Sequence, residues 1–243
     1  MILENYSLIK NQGKMFRILL FVSFMVSGIF SAQNLHPVYL EIIPLYKGKP
    51  IIISEENPVI TDVETSLEIS KLKFYLSHFE FYSDDKLAFS EENSYHLMDG
   101  SDEKSMKVTF SFPENIKFNT IKFYLGIDKK TNSEGIRGGD LDPAKGMYWS
   151  WQTGYINFKL EGKSNLSSAR NHEFSFHLGG YSDPYYATQQ ITLAATSAEK
   201  VILYMDLDQF ISKVNLAQQN NIMIPGKESV ELSKIISTIF KTK

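Results

Sequence analysis

Cysteine is absent from all 243 residues, which excludes disulfide frameworks, zinc–thiolate sites, cysteine nucleophiles and iron–sulfur clusters together. Charge of one sign is lacking too: the formal net charge is -3 with a pI near 6.0, so there is no basic footprint for nucleic acid. With 43% hydrophobic residues the chain is not biased towards disorder. It carries no G-x-S-x-G elbow, no H-E-x-x-H helix and no P-loop, so no familiar catalytic or nucleotide motif stands in it. Tryptophan is nearly missing, and both copies fall within three positions, Trp149 and Trp151.

What is present begins with an address. Lys14 and Arg17 precede an uncharged, mostly apolar run over 18–30 that ends in the small residues Ser31 and Ala32, the pattern of a secretory signal peptide over residues 1–32. Met15, two positions before the basic residue Arg17, offers an alternative start. The run is too short to cross a bilayer core of about 30 Å, which takes about 20 helical residues, so no membrane anchor is expected after cleavage. The mature chain is expected at residues 33–243, periplasmic or secreted, as one domain.

Past the signal the hydrophobic period becomes two. Val108, Phe110 and Phe112 alternate with polar residues, as do Ile121, Phe123 and Leu125, and Ile156, Phe158 and Leu160. Weaker candidates lie at 38–45, 67–82, 94–98, 172–178, 190–195 and 201–207. Eight or nine half-buried strands separated by turn residues predict an all-β fold, an antiparallel β-sandwich of immunoglobulin-like or related type. Within 67–82 the parity slips near Ser77 and His78, which predicts a bulge. Leu232, Ile235, Ile236, Ile239 and Phe240 recur at helical spacing and predict a C-terminal amphipathic helix over about 228–241, covering an open end or edge.

The most unusual stretch runs from 125 to 162, where a Gly- and Asp-rich loop leads into Met147-Tyr148-Trp149-Ser150-Trp151. An extended chain here would put Met147, Trp149 and Trp151 on one face. The indoles then serve as core filler, as stacking platforms for a carbohydrate, or as part of a metal site. Asp140 and Asp142 with Glu134 could supply oxygen ligands or the paired carboxylates of a hydrolase, but in a Gly- and Pro-flanked loop they more simply cap turns. Tyr181 to Tyr186, YSDPYY, could form a binding lip or a structural turn.

The order of KLKFYLSHFEFY, SYHLMD, LGID, GDLDPAKGMYWSWQTGYINFKLEG and FHLGG resembles the MbnP-like periplasmic copper-binding family. The likeness runs from about residue 71 to 180 and continues more weakly through the C-terminal helix; the long central motif is its specific part. It implies a secreted β-sandwich that binds copper, as Cu(I) or Cu(II), for capture or transport and not for turnover. It also implies a tryptophan, Trp149 or Trp151, oxidised to kynurenine by a dihaem oxidase partner. Imidazole nitrogen suits copper, whereas an unmodified indole offers only an N–H donor. His177 in FHLGG keeps its family position. The loop after LGID departs from the pattern, because Ser133 stands where the best-studied branch has a histidine. His96 in SYHLMD is then the expected second ligand, and strand parity sets both imidazoles off their neighbouring apolar residues. His36, His78 and His172 are expected to be solvated.

Overall fold

Strand β4, Leu67–Ser83, runs through the larger sheet and organises it. In the computed structural model the described residues are 35–243 apart from 55, 57–59, 114–115, 152–153 and 197, and the expected signal segment over 1–32 lies outside them. Along one side of β4 lie β10 (Gly154–Lys163) and then β8 (Thr120–Leu125); along the other lie β3 (Ile60–Asp62), β6 (Tyr95–Asp99) and β5 (Lys86–Ser90). The expected parity slip is a bulge: His78 takes a φ of 52° and the register with β8 shifts between Ser77 and Glu80. Before it Leu72, Phe74 and Leu76 enter the core, and after it Phe79 and Phe81 do. The extra residue flips the alternation, so that one continuous apolar face survives a change from even to odd numbering.

The sheet continues through β11 (Glu173–Gly179) to β16 (Asn221–Ile222) on the β10 side, and to β14 (Gln189–Ala194) beside β8. Opposite it stands a smaller sheet of β2 (Lys49–Pro50), β1 (Leu35–Tyr46), β15 (Lys200–Asp206) and β17 (Phe240–Thr242), with β7 (Lys107–Pro113) also paired to β1. The core lies between them: Leu40 and Ile42 from β1 and Leu203 and Met205 from β15 face Phe74, Phe79, Phe81 and Phe158. The architecture is the predicted β-sandwich, curved into a half-barrel. Most pairings are antiparallel, but β1 runs parallel to β15 and β11 to β16, so both sheets are mixed. The first strand finds its partner late in the chain, which no hairpin can connect, and that allows the parallel pairing.

Helix α2, Lys227–Ser237, is the expected C-terminal helix and buries Leu232 and Ile236. It packs on β11 and β14, the outer neighbours of β10 and β8, and so bridges the two branches that leave the same side of β4. The helix stops earlier than its stripe suggests. Ile239 and Phe240 still point inwards, but Phe240 belongs to β17 and pairs with Met205.

A second layer covers the outer face of the large sheet. Residues 126–151 fold over it as helix α1 (Lys129–Glu134), two short 3-10 turns (Gly139–Leu141 and Pro143–Lys145) and β9 (Tyr148–Trp149). Asp128 caps α1 through Thr131 N, and Asp142 caps the second turn through Ala144 N. The apolar underside forms a separate cluster of Tyr75, Leu97, Ile127, Leu141, Met147, Trp149, Tyr155 and Ile156. Strands β4, β6 and β10 are therefore buried on both faces over part of their length.

Candidate functional site on the outer face of the large sheet

In β11 the residues Phe174, Phe176 and Leu178 alternate into the core, which turns His177 to the outer face as its parity predicts. Its side chain is 9% exposed, and Nε2 stands 2.6 Å from Glu161 Oε1 of β10. Glu161 also receives Lys71 Nζ of β4 at 3.2 Å. The hydrogen bond to His177, helped by Lys71, pulls the Glu161 carboxyl down to about 2 against the opposing cost of its burial. Glu161 is thus an anion and can only accept, so His177 Nε2 must be the protonated nitrogen. In the neutral imidazole the lone pair then falls on Nδ1.

Trp149 lies on the same face. A Cβ at Gly179 would sit 2.8 Å from the Trp149 ring and 2.7 Å from the Tyr155 carbonyl, so the indole rests directly on a glycine. This explains the middle of FHLGG: the histidine faces outwards, and two positions on, about 7 Å along the strand, a glycine makes room for the ring. Gly180 has a φ of 133°, a backbone conformation that side chains disfavour. The loop is tied down beside them, since Lys159 Nζ donates to the Gly146 carbonyl at 2.5 Å. Tyr75 donates to the Asp140 carbonyl at 3.0 Å and Tyr155 to the Leu141 carbonyl at 3.1 Å; burial pushes both phenols up.

The other expected residues are elsewhere. His96 does not share a pocket with His177. It lies opposite Leu76 on β4 and turns to the inner face, with Phe79 and Phe110 at 5.8 and 6.3 Å and with Nε2 on Glu91 Oε2 at 2.8 Å. His177 lies three strands away, roughly 14 Å by strand spacing, on the opposite face. The apolar neighbour that set the parity argument, Leu97, belongs to the outer cluster and not to the main core. Trp151 also departs from expectation. Strand β9 ends at Trp149 and the chain turns, leaving Trp151 62% exposed and tilted 52° from Trp149, which is buried. The two indoles therefore make no coplanar, solvent-facing sugar platform.

The acidic residues are structural. Asp140 accepts from Leu97 N at 3.1 Å and from Lys145 Nζ at 2.6 Å, Asp142 caps its turn, and Glu134 pairs with Arg137. Ser133 is exposed on α1 and hydrogen-bonds the Lys129 carbonyl. His78 stands 3.7 Å from Asp128 Oδ2, and His172 meets the Ser167 carbonyl at 3.1 Å. Among the described residues no group of three or more His, Asp and Glu side chains converges as a metal cage. What the outer face does offer copper is one oriented imidazole with a carboxylate behind it, a donor set whose nitrogen suits the metal. Glu161 and Lys71 were not among the sequence candidates. The alternation of Lys159 and Glu161 on β10 was visible, but which strand lay beside them was not.

The MbnP family model matches residues 36–224. Among solved structures, MbnP from Methylosinus trichosporium superposes with a TM-score of 0.57 at 12% identity, covering 78% of this chain and 83% of that one. At that identity the likeness is one of fold. No curated protein matches the chain. No helix of the described residues is long and apolar enough to cross a membrane.

Proposed function

Since the chain belongs to the MbnP family over residues 36–224, we propose that it is an exported, non-catalytic copper-binding protein that captures or transports the metal through His177 on the outer face of β11. The observation that carries this reading is the His177–Glu161 pair. A carboxylate that fixes one ring nitrogen as a donor, and so directs the other nitrogen's lone pair, is the arrangement that orients metal-bound histidines. Copper would supply the coordination centre, and the chain supplies an oriented imidazole with Lys71 balancing the Glu161 charge. His96 is no part of this site. Trp149 is the indole placed to be the modified one, because it shares the outer face with His177 while Trp151 turns away. Conversion to kynurenine by a dihaem oxidase would give it an amine in place of an N–H that cannot coordinate.

Competition titration with a copper chelator tests the reading on the mature chain and two variants. His177→Ala should weaken copper binding by about tenfold or more, the loss expected when a ligand or its support is removed. His96→Ala should leave the affinity unchanged. Equal affinity in all three proteins would refute His177 as the ligand. Intact mass of protein from its native host tests the oxidation separately: kynurenine replaces one carbon of the indole by one oxygen, and the added mass should map to Trp149.

A further inference from the structure

Beside Trp149 a pocket of about 370 Å3 opens to solvent. One wall is a small hairpin, β12 (Tyr181–Ser182) and β13 (Tyr185–Tyr186), which is the YSDPYY motif. The pocket is lined by Trp149, Tyr155, Tyr181 and Tyr185, with Ser182 and Asp183 from the hairpin. Glycines hold it open: a Cβ on Gly154 would meet the Tyr181 ring at 3.0 Å, and one on Gly180 would run into the Tyr185 carbonyl. Three exposed aromatics gather in this region. Tyr185 is 43% and Tyr186 39% exposed on the hairpin, and Trp151, 62% exposed, has its ring 6.1 Å from Trp149. Burial cannot be the reason for keeping such rings at the surface, and clustered exposed apolar area marks binding sites.

The charges select the ligand. Among the described residues no Lys, Arg or His lines the pocket itself. Asp183 is the one charged lining residue; its carboxylate is 92% exposed and meets Lys129 Nζ at 3.6 Å, a surface pair of small worth that a competing cation can replace. A polyhydroxylated sugar needs several converging polar side chains, and among the described lining residues the phenols are joined by Ser182 and Asp183 alone, both on the hairpin. Aromatic rings with one carboxylate suit instead a compact positive charge that carries its own apolar surface. We infer that this pocket binds an organic ammonium cation, held between the rings of Trp149, Tyr181 and Tyr185 and the carboxylate of Asp183. The inference shares Trp149 with the proposed copper site but none of its residues supplies the imidazole, so it is tested at Tyr185 and Asp183.

Calorimetric titration of the mature, full-length chain tests it, with choline against its neutral carbon isostere, 3,3-dimethylbutan-1-ol, and with glucose as a third probe. Choline should bind about tenfold more tightly than the isostere, within the range expected of a partly desolvated cation on aromatic rings. Tyr185→Ala should weaken choline binding, and Asp183→Asn should weaken it while leaving the isostere unaffected. Tyr39→Ala, which removes an exposed ring from β1, should change nothing. Equal binding of choline and the isostere would overturn the proposal. So would absence of choline binding, or binding of glucose alone.

Discussion

The two faces of the large sheet are held in different ways. On the inner face the buried aromatics are phenylalanines: Phe79 and Phe81 each pack on Phe110 of the facing sheet at 5.0 Å, and Phe79 on Phe123 at 5.2 Å. On the outer face the fully enclosed aromatics are Tyr75, Tyr155 and Trp149, and each of these two tyrosines spends its hydroxyl on a carbonyl of the covering loop. Hydrocarbon burial is non-directional and serves stability, whereas a buried phenol must meet its partner at one place. The inner face therefore holds the fold together, and the outer face fixes where the loop, Trp149 and their neighbours sit.

That contrast predicts a ranking. Phe79→Ala removes a fully buried ring from the centre of the inner cluster and should cost about 3–5 kcal/mol, enough to threaten folding, as read by chemical denaturation. A cost below about 1 kcal/mol would mean that the inner face is loosely packed and the comparison misplaced. Gly179→Ala comes next. The added methyl meets the Trp149 ring at 2.8 Å and the Tyr155 carbonyl at 2.7 Å, so both the ring and the backbone beside it must give. Overpacking of this kind costs about 1–3 kcal/mol. Because the displaced group is an indole, tryptophan fluorescence should shift red. Lost stability without a fluorescence change would show that the backbone, and not Trp149, yields.

The third effect depends on pH. The Glu161 carboxyl is held at about 2 instead of its ordinary 4.5, first by the hydrogen bond to His177 and then by Lys71. A depressed carboxyl stabilises the fold above its unfolded value, and this stabilisation is lost as pH falls from about 4.5 towards 2. The full shift would correspond to a little over 3 kcal/mol; with the pair partly open to solvent, about 2 kcal/mol is a fairer figure. Melting temperatures of the mature chain and Glu161→Gln should therefore differ most near neutrality and converge in acid. A gap that stays constant with pH would show that the carboxylate is not held by its charge.

Much of this arrangement was legible beforehand, and the misreadings have physical causes. Strands with one buried face announced themselves by alternation, as over Val108, Phe110 and Phe112, and the slip at His78 was visible because the apolar parity changes there. The outward turn of His177 followed from Phe174 and Phe176. His96 was misplaced because β6 is apolar on both sides, Met98 inwards and Leu97 outwards, so parity could not say which face was the main core. Phe240 fitted a helical stripe and also an inward strand position, and only pairing with β15 distinguished them. Glu161 and Lys71 could not be joined to His177 without the register of β10 against β11 and against β4, which is distant in sequence.

The smallest expected effect concerns the second tryptophan. If the outer face positions residues through enclosure, then Trp151, which stands in a turn and is 62% exposed, lies outside that logic although it is two residues from Trp149. Its ring touches the edge of the buried indole at a centroid distance of 6.1 Å, a tilted contact of limited area. Trp151→Ala should therefore change stability by no more than about 0.5 kcal/mol, as surface substitutions do, while Trp149→Ala should cost about 3–5 kcal/mol. Copper affinity should be untouched by Trp151→Ala, because His177 and Glu161 are unaltered. Denaturation curves of the two variants measured side by side decide it. Equal losses would mean that the turn at 150–151 is held by its own indole, and that the covered region extends one hairpin further than the burial of Trp149 implies.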